Sequence, residues 1–289
     1  MQLQQTWRWF GPGDPVTLAD VRQTGATGVV TALHQIPHGA VWPVAAVRAR
    51  QAEIRAAGLD WTVVESVTVS EAIKTRSGAF RQAIDDYKQS LRNLAGCGLR
   101  VVTYNFMPVN DWTRTNLNYT MPDGARALYF DWFDLAVFDI HLLKRPNAAD
   151  DYSPSVVAEA ERRFGQYSST ECEQLADIVM FGIPGEAKQT LAGMRAKLAT
   201  YTTINAEVLR ANLTDFLAEI APVADELGIR LAIHPDDPPF PIFGLPRIAS
   251  RAGDFAYLLE KVPNQSNGVC FCTGSLGANP SNNLPEMAR

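Results

Sequence analysis

"IRLAIHPDDPPFPIFGLPRI", residues 229–248, begins with an apolar run and ends in a loop stiffened by proline. Before it stands "NAEVLRANLTDFLAEIAPVADELG" (205–228), whose apolar residues recur at helical spacing and stop at a glycine, where a left-handed cap is favoured. Helix, glycine, short apolar strand and polar exit loop together form the repeating unit of a parallel α/β sheet. A strand covered by helices on one side and core on the other needs no in-out alternation.

The same unit recurs along the chain. "TWRWF" (6–10), "TGVVTAL" (27–33), "WTVVES" (61–66), "LRVVTYNF" (99–106), "IRLAIH" (229–234) and "GVCFCT" (268–273) are six candidate strands. Helical patterns between them, "WPVAAVRARQAEIRAAG" (42–58) and "FRQAIDDYKQSLRNLAGCG" (80–98), also close at glycines. Strand and helix in alternation imply parallel strands joined by crossovers. No G-x-G-x-x-G follows the first strand, and polar residues gather at strand C-terminal ends, so a TIM-type (β/α)8 barrel is favoured over a doubly wound sheet. Six strands leave that barrel incomplete. The link from Phe106 to Ile229 is far longer than the roughly 30 to 40 residues of one repeat. It predicts a helical insertion over about 108–200 within a single domain spanning 1–289.

The chain has 289 residues, 46% of them hydrophobic, which is enough to bury a large core. A net charge of −5 without a basic stripe argues against nucleic acid, and no apolar run is long enough to span a bilayer. The cytoplasm is the expected compartment, with Cys97, Cys172, Cys270 and Cys272 as reduced thiols in no zinc-ribbon or C-x-x-C spacing.

In a parallel barrel the C-terminal strand ends meet around one mouth. Those ends carry Arg8, Trp9, His34, Glu65, Asn105, His234 with Asp236 and Asp237, and Cys272. His234 and Cys272 come from adjacent candidate strands, and imidazole with thiolate suits a borderline divalent cation. The blander alternatives are a hydrogen-bonded histidine at a strand end and a cysteine used for packing. Arg8 could fork onto a substrate carboxylate or form a surface ion pair; Glu65 is either paired or chemical. Asn105 suits a hydroxyl-rich ligand or a turn, and Asp236 serves either the site or the turn of "HPDDPP". His34, His38 and His141 read as structural or solvent-facing. "GLPRI" (244–248) is a weak phosphate signal through Gly244 and Arg247. "ALYFDWFDLAVF" (127–138) reads as a buried helix face, with a homo-oligomer interface as the alternative.

Five blocks taken together resemble the mannonate dehydratase family: "TWRWFGPGDPVTLADVRQTGATGVVTALHQIP" (6–37), "VVESV" (63–67), "YNFMPVNDWTRT" (104–115), "LAIHPDDPPFPIFGLPRI" (231–248) and "CTGS" (272–275). The resemblance implies a xylose-isomerase-like barrel and a Mn²⁺ or Fe²⁺ cofactor. It also implies a hydro-lyase that dehydrates D-mannonate to 2-keto-3-deoxy-D-gluconate in hexuronate catabolism. On that resemblance His234 and Cys272 are metal ligands; Arg8, Trp9, Glu65, Asn105 and Asp236, read from the strand ends, are the candidates to face the sugar acid. The resemblance further implies ligands and acid–base residues in segments beyond residue 289. A C-terminally truncated chain of little or no activity is therefore expected, with catalytic residues unassigned. The alternatives are a noncatalytic remnant binding a sugar acid or a partner protein, and a related barrel sugar isomerase.

Overall fold

The computed structural model describes residues 3–181 and 189–289. Strand β1 (Thr6–Arg8), helix α1 (Leu18–Gln23), β2 (Gly28–Thr31), α2 (Val44–Ala56) and β3 (Asp60–Glu65) come first. Then follow α3 (Glu71–Thr75), α4 (Phe80–Gly96) and β4 (Val101–Tyr104). Next come a hairpin of β5 (Asn116–Thr120) and β6 (Arg126–Tyr129), α5 (Trp132–Ala136), a π-helical turn (Val137–Leu142) and a 3-10 turn (Ala148–Asp151). Helices α6 (Pro154–Phe164), α7 (Ser169–Val179), α8 (Leu191–Ala199) and α9 (Ala206–Leu227) lead to β7 (Arg230–Ile233). The chain continues with α10 (Ala252–Lys261), β8 (Asn267–Val269), α11 (Thr273–Gly277) and α12 (Leu284–Met287).

Six strands form one sheet in the order β1-β2-β3-β4-β7-β8, and every pairing is parallel. The order follows the chain without reversal. A doubly wound sheet reverses at a switch point, whereas a TIM-type barrel adds each strand beside the last, so the order selects the incomplete barrel expected from the sequence. Among the described residues β1 and β8 stand at the two ends and do not pair with each other.

The helices form for the reasons their patterns suggest. On α4 the residues Ile84, Tyr87, Leu91, Leu94 and Ala95 make one buried stripe, and Tyr87 meets Phe216 of α9 edge-on at 5.2 Å between ring centres. α9 buries Leu209, Leu213, Phe216, Leu217, Ile220 and Ala224 along the matching face, and Gly228 ends it at φ 63. That conformation costs an L-residue with a Cβ roughly 1 kcal/mol, and glycine escapes the cost.

Two expectations need correction. "ALYFDWFDLAVF" is only partly a buried helix: Ala127–Tyr129 belong to β6, where Leu128 is 56% exposed, while Leu135, Ala136, Val137 and Phe138 are fully buried. The β5–β6 hairpin is also new, its Tyr119 and Tyr129 rings stacked at 4.2 Å. "GVCFCT" is a strand only as far as Val269. Cys270 still donates its amide to Ile233, but Cys272 lies beyond the strand as the N-cap residue of α11.

Candidate active site

β4, β7 and β8 end side by side, and His234 extends the ladder by donating its amide to the Tyr104 carbonyl at 2.9 Å. Its Nδ1 lies 2.8 Å from the Pro235 carbonyl oxygen, so Nδ1 carries a proton. The imidazole is hydrogen-bonded to the Cys272 side chain. Burial alone would depress the imidazole, yet Cys272, with help from Glu65 and the Pro235 carbonyl, carries it up to about 9. Cys272 moves the opposite way: the His234 bond, against desolvation and with Ser275 adding, brings its thiol down to about 7. Imidazole and sulfur are thus a coupled pair that favours the thiolate. Cys270, nearer the strand, is pushed by burial up to about 12 and stays a thiol.

Around this pair lies a polar chain of which the sequence showed only Asp237, at a strand end. Ser275 Oγ lies 3.3 Å from Cys272 Sγ and donates to Asp237 Oδ2 at 3.2 Å. Arg114 forks onto both oxygens of Asp237 at 2.7 and 2.8 Å. The only signal for these residues was position, since Asp237 and Ser275 each stand three residues beyond a candidate ligand, His234 and Cys272. Arg114 lies 123 residues before its partner, and no local pattern connects the two.

The other expected residues divide. Glu65 sits at the end of β3, 3.7 Å from Arg8 and in the electrostatic field of His234. The Arg8 guanidinium also donates to the Glu65 backbone carbonyl and lies 4.8 Å from the Phe10 ring centre, so it is committed to the protein. Asn105, one residue beyond β4, donates to Asp111 at 3.4 Å. Trp9 is a correction: it is 3% exposed and covered by Arg50 at 5.1 Å, hence a core residue rather than a substrate contact. Asp236 is a second correction. It is 2% exposed and accepts from the Ala249 amide at 2.7 Å and Ser250 Oγ at 2.8 Å, which closes the loop after β7. Its neighbour Asp237 turns toward Cys272 instead.

Two buried cations and a neutral histidine complete the surroundings. Lys74 bonds Glu71 at 2.8 Å and the Met107 carbonyl at 2.7 Å, with Asp111 at 3.7 Å. Glu71 in turn accepts from Tyr201 Oη at 2.6 Å. Arg247 of "GLPRI" is enclosed, its three nitrogens without a hydrogen bond among the described residues, in the field of Asp236, Asp237 and Asp111. That enclosure removes it as a phosphate contact. Both nitrogens of His34 are likewise enclosed and make no bond of normal geometry. Burial, then the charges of Arg8 and Arg50, hold its imidazole down to about 4, so it is neutral. His141 stacks on Phe164 at 4.5 Å, as a structural histidine does.

Residues 3–289 match the family model for D-mannonate dehydratase (UxuA). The chain belongs to the D-mannonate dehydratase family. It is 50% identical over 288 residues to the mannonate dehydratase of Rhizobium meliloti (strain 1021), covering 99% of this chain and 72% of that protein. Identity to the mannonate dehydratase of Marinomonas sp. (strain MWYL1) is also 50%, covering 99% and 74%. The crystal structure of mannonate dehydratase from Streptococcus suis serotype 2 superposes with a TM-score of 0.77 at 34% identity, covering 99% of this chain and 69% of that one. These matches place the chain among the hydro-lyases. They run along its whole length, and the expected truncation is not borne out by them.

Donor chemistry tests the implied metal. An imidazole and a thiolate converge, the donor types a borderline divalent ion takes once it displaces the proton that the pair holds on the imidazole. Among the described residues no third histidine, cysteine, aspartate or glutamate joins them in a metal-binding group. The same residues include no helix long and apolar enough to cross a membrane.

Proposed function

We propose that this chain dehydrates D-mannonate to 2-keto-3-deoxy-D-gluconate with a Mn²⁺ or Fe²⁺ ion held by His234 and Cys272. The observation that carries the reading is the hydrogen-bonded convergence of those two side chains at the ends of neighbouring strands. Dehydration removes the proton from the carbon bearing the carboxylate and expels hydroxide from the next carbon; the resulting enol tautomerises to the 2-keto acid. A bound divalent ion supplies Lewis acidity for the negative charge that develops as the proton leaves.

The chain's own residues prepare the site. The Pro235 carbonyl holds His234 through Nδ1, as a supporting hydrogen bond does for a ligating histidine, and a bound metal would displace the proton on the other nitrogen. Ser275 and Asp237 hold Cys272 from the other side. Asn105, with Asp111 behind it, offers hydrogen bonds to hydroxyls of a sugar acid. We place the reaction in the cytoplasm, within hexuronate breakdown, where four thiols remain reduced.

The test is formation of a 2-keto-3-deoxy acid from D-mannonate by the metal-loaded chain. It should depend on Mn²⁺ or Fe²⁺ and be lost in His234→Ala and Cys272→Ala. Turnover that persists without metal, or a ketose made from an aldose, would reject the assignment.

A further inference from the structure

Arg114 has five N–H donors, and the structure uses three of them on the protein. Nη1 donates to Asp237 Oδ1 at 2.7 Å and to the Thr113 carbonyl at 2.9 Å, and Nη2 donates to Asp237 Oδ2 at 2.8 Å. The remaining two, Nε–H and the outer hydrogen of Nη2, lie along one edge of the planar group and carry no hydrogen bond among the described residues. Two parallel N–H vectors on one edge match the two oxygens of a carboxylate.

That edge is held in place. The guanidinium packs 5.3 Å from the Trp112 ring centre, and Asp237 is itself fixed by Ser275 Oγ at 3.2 Å and by its amide on Met107 Sδ at 3.1 Å. The Arg114 side chain is 19% exposed, enough to meet a ligand. Trp112 also lines a polar cavity of about 230 Å³ with Ser70, Lys74 and Asp111. One carboxylate, Asp237, and one hydroxyl, Ser275, separate the guanidinium from Cys272 Sγ. The other arginines nearby are unsuited to the role. Arg8 is committed to Glu65, and Arg247 is enclosed.

We propose that Arg114 receives the carboxylate of the sugar acid on its Nε–Nη2 edge, with Asp237 as the residue that orients it. This assignment rests on the sugar-acid reading above and names the residue that would select an acid over a neutral sugar. Ordering a long arginine on binding costs conformational entropy; here Asp237, Thr113 and Trp112 have already restricted it. A lysine at the position keeps the charge but cannot present two parallel donors.

Calorimetry on the Mn²⁺-loaded full chain tests the proposal with two probes, D-mannonate and its uncharged amide, D-mannonamide. Wild type should prefer the acid, and Arg114→Gln should cut that preference about 10- to 100-fold, the range for losing a hydrogen bond to a charged group. Arg114→Lys should fall between, and it carries the same comparison should Arg114→Gln fail to fold. An acid-to-amide preference unchanged within twofold would overturn the assignment, as would equal loss of both ligands, the signature of a merely structural ion pair. Wild-type chain that binds no D-mannonate would overturn the sugar-acid reading together with this one.

Discussion

Asp236 and Asp237 are adjacent, identical in chemistry and opposite in role, and replacing each in turn separates the two roles. Asp236→Ala removes the acceptor of the Ala249 amide and Ser250 Oγ and leaves both donors buried in the loop after β7. Leaving a buried donor without its acceptor costs about 1 to 3 kcal/mol, so the two together cost roughly 2 to 6 kcal/mol. For a chain of this size that corresponds to a fall in melting temperature on the order of 10 °C. Burial raises the Asp236 carboxyl above its usual range, so ionising it in the folded state is unfavourable. Its contribution to stability is complete below the unfolded value and declines as pH rises through the raised one. Asp236→Asn, which is neutral and nearly the same shape, should therefore lose much less than Asp236→Ala. Asp237 is partly exposed, and Asp237→Ala should cost little stability. The assay is urea unfolding followed by circular dichroism at pH 7. The reasoning fails if Asp236→Ala unfolds within 0.5 kcal/mol of wild type, about the size of an ordinary surface change, or if Asp237→Ala proves the more destabilising.

Two further outcomes follow from buried groups. His34, held down to about 4 against an ordinary 6.5, must gain a proton on unfolding anywhere between those values, so its contribution is intact above 6.5 and is lost as pH falls toward 4. Taking the chain from pH 7 to 5 should cost about 2 kcal/mol through this residue, and His34→Gln should remove that part; equal slopes of urea midpoint against pH in the two proteins would contradict it. Lys74→Met strips the cation from Glu71 and Asp111 and should destabilise by roughly 3 to 5 kcal/mol, with Glu71→Gln recovering part of the loss in the double variant. A Lys74→Met protein that melts with wild type would show that the network contributes nothing.

Much of the fold was readable because its cause is local. A strand buried on both sides must be apolar throughout; β2, β4 and β7 lie within the runs that show this, and β3 begins one residue before its run. Helices that end at Gly58, Gly98 and Gly228 do so where φ is positive, a preference of one residue type. The β5–β6 hairpin was missed although "PDG" (122–124) is a turn signal, because the apolar residues of its strands are exposed rather than turned to a core.

What the amino-acid order determined by itself was the succession of parallel strands, the glycine stops, and the arrival of His234 and Cys272 near one mouth, since neighbouring units in a barrel are neighbours along the chain. Only the tertiary structure decided the rest: that Trp9 is core, that Asp236 closes a loop while Asp237 turns inward, and that Arg114 comes to meet it. The physical reason is separation. Periodicity and capping depend on residues a few positions apart, whereas an ion pair spanning 123 residues forms only after the sheet has brought its ends together.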